Sequence, residues 1–140
     1  AGAGRITLSV EDCLNNMRAL AENAPLPVVM PVYQDAPLFT SAVCIRANPC
    51  KSCPRGEKWL KLRHEGREYL ALSKNCQTML FAGRPLCFAA EAEKVPAFYR
   101  GDFVYRRYSP EAAASVWKKV RAFEDVPGCA KGNLVSGGNF

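Results

Sequence analysis

The sequence predicts an α+β fold: two helices packed on mostly antiparallel strands and hairpins, with a βαβ-like piece at the N-terminal side. Three observations carry this. Residues 10–22 and 110–124 place apolar side chains at helical spacing. Between them, short runs alternate polar and apolar residues around glycine-containing turns. A near-continuous apolar run, LPVVMPVY over residues 26–33, follows the first helix as a buried strand would. With 140 residues, 49 % hydrophobic and 23 % charged, the chain has room for one ordinary core. No apolar run approaches the roughly 20 residues of a membrane helix. The opening AGAGRITLSV has no charged segment leading into an apolar one, so cytoplasmic residence without a membrane partner is expected.

Residues 5–8 are β-prone. Ser9 is expected to cap the first helix, with Asp12 reaching back as a shortened capping box. Val10, Leu14, Met17, Leu20 and Ala21 then form its apolar face, with Cys13 beside them as a core residue. The helix should stop near Glu22, ahead of Pro25. Pro27 and Pro31 within the next apolar run belong at strand ends or on an edge. Strand, helix, strand is a unit of parallel sheets and barrels, and one such unit cannot close a barrel. The chain is therefore expected to be a piece of a longer protein.

A second extended run, APLFTSAVC, delivers Cys44. Residues 58–63 and 68–73 alternate on either side of His64-Glu65-Gly66-Arg67, which is a hairpin signal. A further hairpin is expected from residues 77–81 and 86–90 across Ala82-Gly83-Arg84-Pro85. Residues 97–108, AFYRGDFVYRRY, read as a last strand with aromatic and basic residues interleaved. Ser109-Pro110-Glu111 starts the second helix: a capping serine, a proline in the first turn and an acid at the positive end of the dipole. The Gly-rich tail reads as loop. These elements divide into residues 1–43, 44–96 and 97–140, expected to form one unit.

Five of the seven cysteines fall between Cys44 and Cys87. Cys44, Cys50 and Cys53 are crowded, and Cys50-Lys-Ser-Cys53 is a tight loop whose backbone amides can face the sulfurs. Cys76 returns after the hairpin. Thiolates gathered from a knuckle and a second segment suit a metal site. The plainer reading is a set of unconnected buried thiols, since free cysteine behaves as a small hydrophobe. Spacing does not separate zinc from an iron–sulfur cluster.

The formal net charge is +6. Between Arg46 and Arg67 stand seven basic residues and two acidic ones, so a surplus of five surrounds the knuckle. Arg46, Lys51, Arg55 and Lys58 there, with Arg100, Arg106 and Arg107 in the aromatic stretch, are the candidate contacts to RNA or another anion. A solvated strand face explains the same charges without a ligand. His64, the single histidine, reads as an exposed turn residue. The chain has no HExxH, GxSxG or P-loop motif and no evident carboxylate pair, which argues against a self-contained hydrolase.

In order, SVEDCLNNMRAL, PVYQDAPLFTSAVC, the Cys44/Cys50/Cys53 knuckle, the hairpin ending at Cys76, RPLCFAA and SPEAAASVW resemble the later part of peptidase family U-32, the collagenase-like peptidases. Ser9-Val10-Glu11 matches that family's late barrel strand, and Pro37-Leu38-Phe39 with Cys44 its strand into a first cysteine. The resemblance implies a TIM-type barrel whose larger part lies N-terminal to this chain. It also implies a 4Fe-4S cluster on Cys44, Cys50, Cys53 and Cys76, which oxygen would strip from an isolated fragment. Cysteine spacing varies among subfamilies, and Cys87 is near enough in sequence to substitute for Cys76. Implied activities are oxygen-independent hydroxylation of RNA bases or small quinone precursors, or the peptidase activity of the family label. A zinc-stabilised nucleic-acid-binding module is the alternative from a different class. Cut from its barrel, the first unit would expose apolar surface and form a homodimer.

Overall fold

The computed structural model describes residues 2–46 and 56–134. The fold is α+β, with three helices and eight strands among the described residues. They form two compact units. The first combines the residues up to Asp35 with those from Arg84 onward, and the second is Ala36–Gly83. The expected divisions at 43/44 and 96/97 fall where the cysteines begin and where the aromatic stretch begins. Pairing partners set the limits instead: β3 (Pro37–Ser41) joins the hairpin strands, and β7 (Leu86–Cys87) joins the N-terminal sheet.

In the first unit, β1 (Ile6–Thr7) runs parallel to β2 (Val28–Gln34), with α1 (Leu14–Asn23) crossing between them. β7 pairs antiparallel with the far end of β2, Tyr33 opposite Cys87. β8 (Phe98–Gly101) runs parallel along the other side of β2. Val28, Met30, Val32 and Tyr33 are buried, as a strand with neighbours on both sides requires. Pro31 sits inside β2 rather than at an end. It falls between the stretch paired with β1 and the stretch paired with β7, and at a register irregularity against β8. A residue without an N–H is tolerated at such a gap.

Helix α1 begins four residues later than expected. Ser9 Oγ accepts from Glu11 N at 3.2 Å and Asp12 Oδ1 from Cys13 N at 2.9 Å, so these side chains hold a turn instead of capping a helix. Cys13 takes the N-cap position and is exposed, which corrects its placement in the core. Met17 is the fully buried residue of α1.

The expected hairpin of residues 77–81 with 86–90 does not form. After β7 the chain turns into a short helix, α2 (Ala89–Ala92), which packs against β2 and α3 (Pro110–Arg121). The sequence Ala-Ala-Glu-Ala favours helix strongly. Helix α3 starts as expected, with Ser109 Oγ accepting from Ala112 N at 3.2 Å. It ends three residues early, where Phe123 adopts a φ of +56°. The aromatic stretch is strand only over β8; beyond it, Phe103 stacks on Tyr33 at 5.3 Å and meets Tyr108 edge-on at 5.1 Å. The tail is pinned: Ala130 bridges Leu86, and Leu134 is buried.

The second unit is an antiparallel sheet ordered β3-β6-β5-β4, with β4 (Lys58–His64), β5 (Arg67–Lys74) and β6 (Gln77–Ala82). Glu65 and Gly66 turn β4 into β5 with φ of +49° and +76°, the left-handed pair that a two-residue hairpin needs. Leu60 and Leu62 share one face and Leu70 and Leu72 share one, but the register puts the two pairs on opposite faces. Trp59 packs on buried Phe81, ring centroids 5.7 Å apart. Gly83 closes the sheet, donating to Glu68 O at 2.9 Å; a Cβ there would sit 2.7 Å from that oxygen.

Candidate metal centre

The end of the second sheet where β3 finishes and β5 turns into β6 is built on a cross-strand pair, Ser73 opposite Thr78. Both are buried and polar, so each needs partners. Thr78 Oγ1 donates to Val43 O at 2.8 Å and accepts from Ile45 N at 3.2 Å. This ties the segment after β3 to the sheet. Arg46 Nε donates to Ser73 Oγ at 3.1 Å, and its Nη2 reaches Ser73 O at 3.2 Å and also Gly56 O. Arg46 and Gly56 flank residues 47–55, so both flanks meet at Ser73.

Cys44 lies in this network, its Sγ 3.6 Å from Ser73 Oγ. A hydrogen bond from the Arg46 backbone, and after it one from Ser73, holds the Cys44 thiol below the ordinary thiol range. Cys76 occupies the two-residue turn that joins β5 to β6, one ladder step beyond the Lys74–Gln77 pair, and is exposed. It stands ~7 Å along the strand from Ser73 at the usual rise per residue. Cys50, Cys53, Lys51 and Arg55 lie outside the described residues. Among the described residues, no group of three or more His, Cys, Asp or Glu is placed to hold a metal ion.

Cys87, the sequence's substitute ligand, belongs to the other unit. It is buried at the end of β7 opposite Tyr33. The basic candidates also separate. Arg46 spends its guanidinium on Ser73 and Gly56. Arg106 Nε bonds Asp35 Oδ1 at 2.6 Å, with 4 % of the Asp35 side chain exposed. Arg100 pairs with Asp102 at 3.0 Å on the surface. Lys58 and Arg107 are exposed. His64 closes β4 opposite Arg67 and is exposed beside Glu65.

Sequence reasoning missed a second polar cluster, at the C-terminal end of β2. Asp35 pairs with Arg106, and Tyr33 shares a 3.0 Å hydroxyl contact with Tyr108. Burial raises the Asp35 pKa, and Arg106 offsets only part of that rise. Burial likewise raises both phenols. The available signal was Tyr33 and Asp35 at alternate positions where the apolar strand ends, the end at which open parallel sheets carry their sites. Among the described residues, no helix is long and apolar enough to cross a membrane. Comparison with protein-family models, with curated proteins and with solved structures finds no match to this chain.

Proposed function

We propose that the chain is the C-terminal segment of a peptidase U-32 (collagenase-like) family protein, in which Cys44, Cys50, Cys53 and Cys76 hold a 4Fe-4S cluster. The whole enzyme would be a cytoplasmic one that hydroxylates RNA bases or a small substrate. One observation carries this reading: Cys44, the turn bearing Cys76 and both flanks of the segment bearing Cys50 and Cys53 meet at one end of one sheet. The donor set fits. Ligating cysteines must be thiolates, and Cys44 is already biased toward that form. The Arg46 guanidinium beside it offsets negative charge as further thiolates gather. A bound cluster supplies one-electron transfer.

The first unit supports the barrel part of the reading. Among the described residues, β1 and β8 each pair only with β2, leaving two outer edges where parallel strands of a larger barrel would add. The N-terminal barrel of the same longer protein is the proposed partner. An isolated segment with exposed Phe98 on one of those edges would form homodimers. Exposed Lys58 is one positive contact an RNA substrate would meet.

The test is anaerobic purification with iron, sulfide and zinc analysis and a visible spectrum, on the wild type and on Cys50→Ser and Cys76→Ser. Iron and sulfide in the wild type, lost in both variants, support the cluster. Stoichiometric zinc without colour replaces it with the zinc-stabilised nucleic-acid-binding module. Absence of any metal from the wild type overturns both.

A further inference from the structure

Cys87 and Cys129 are brought together by a feature separate from the candidate metal centre. The Cys87 N–H donates to Ala130 O at 3.0 Å and the Ala130 N–H to Pro85 O at 2.8 Å. These bonds make a parallel bridge, Leu86 opposite Ala130. Side chains alternate along paired backbone, so the residues on either side of the bridging pair, Cys87 and Cys129 among them, point the same way. The two thiols lie on the same side of this bridge, and both are free. Donation from Cys129 lowers the Cys87 pKa despite its burial, and the same contact raises that of Cys129. Cys87 is 1 % exposed, whereas Cys129 is partly open to solvent.

We propose that Cys87 and Cys129 form a redox-active dithiol that small peroxides oxidise to a disulfide. Peroxide meets Cys129, the accessible sulfur, whose proton passes to Cys87 so that the Cys129 thiolate attacks. A sulfur–oxygen bond forms, the peroxide oxygen–oxygen bond breaks, and one water leaves with the thiol proton. Cys87 Sγ then attacks the sulfenic sulfur; the sulfur–sulfur bond forms, the sulfur–oxygen bond breaks, and a second water leaves. The thiols lose two electrons and the peroxide gains them. The product ties β7 covalently to the C-terminal segment that carries Leu134 against the start of α1, where Leu14 N donates to Leu134 O at 3.4 Å.

The experiment exposes the full chain to hydrogen peroxide with dimedone present, followed by peptide mapping with and without dithiothreitol. It uses the wild type, Cys87→Ser, Cys129→Ser and Cys50→Ser. The wild type should give a reducible Cys87–Cys129 peptide and no dimedone on either residue. Cys87→Ser should gain a dimedone adduct on Cys129, and Cys129→Ser should leave Cys87 unmodified. The link should persist in Cys50→Ser, which separates this site from the metal-centre reading. Dimedone retained on Cys129 in the wild type, or oxidation of Cys44 while both thiols stay reduced, overturns the proposal. The wild-type map decides even where a variant fails to fold.

Discussion

Cys44 and Cys87 are both held below the ordinary thiol range, by opposite means. Cys44 is partly exposed, and a backbone hydrogen bond from Arg46 and a hydroxyl from Ser73 stabilise its thiolate. Cys87 is buried, and desolvation works against its charge. A neighbouring thiol is its main donor, backed by the backbone of Ala89. The difference bears on what each is proposed to bind. The donors at Cys44 are Arg46 and Ser73, and Arg46 also bonds Gly56 O across the segment that carries Cys50 and Cys53. The donor at Cys87 is itself a sulfur, so its pairing partner is already in place. A lowered thiol pKa alone therefore does not mark a metal ligand.

The largest test of this contrast lies on the buried side. Asp35→Ala removes the carboxylate beneath Arg106, whose side chain is 23 % exposed. Loss of one partner of such a pair should cost about 3 kcal/mol in urea unfolding. A cost near zero would show that the cluster around Tyr33 is not a buried network. A smaller effect is expected on the exposed side. Ser73→Ala removes the hydroxyl shared by Cys44 and Arg46 and should cost about 1 kcal/mol. It should also move the pH profile of Cys44 alkylation upward, and an unmoved profile would remove Ser73 from the account of that thiol.

The smallest effect is in pH. Burial raises the folded-state pKa of Asp35 above its unfolded value near 3.8. The folded state therefore holds this proton more tightly, and stability from this group is greatest at low pH. It declines as pH rises from the unfolded value through the raised one. Relative to Asp35→Asn, the wild type should lose stability across that window, and the opposite slope would mean that Arg106 outweighs burial.

Local chemistry made part of the fold legible. The β4–β5 hairpin followed from alternation around Glu65-Gly66, and the start of α3 from Ser109-Pro110-Glu111. What failed depended on partners far along the chain. Residues 86–87 read as half of a hairpin with the preceding strand, yet they pair with Tyr33 and Gln34, some fifty residues earlier. Ser9 and Asp12 read as a cap, but their own short-range hydrogen bonds made a turn first. At the candidate site, cysteine spacing pointed to the end of the sheet where Cys44 and Cys76 lie. Counting basic residues did not foretell that Arg46 and Arg106 would be committed to Ser73 and Asp35, because a charge tally carries no partners.

The turn between β5 and β6 places Cys76 at a φ of +61°, a left-handed conformation that suits glycine far better than a side chain with a Cβ. Holding cysteine there costs on the order of 1 kcal/mol. Cys76→Gly should return about that much to folding while deleting a proposed ligand. A more stable, metal-free variant would then measure what the sheet gives up to present a thiol on a two-residue turn, and a variant no more stable than the wild type would show that the turn carries no such cost.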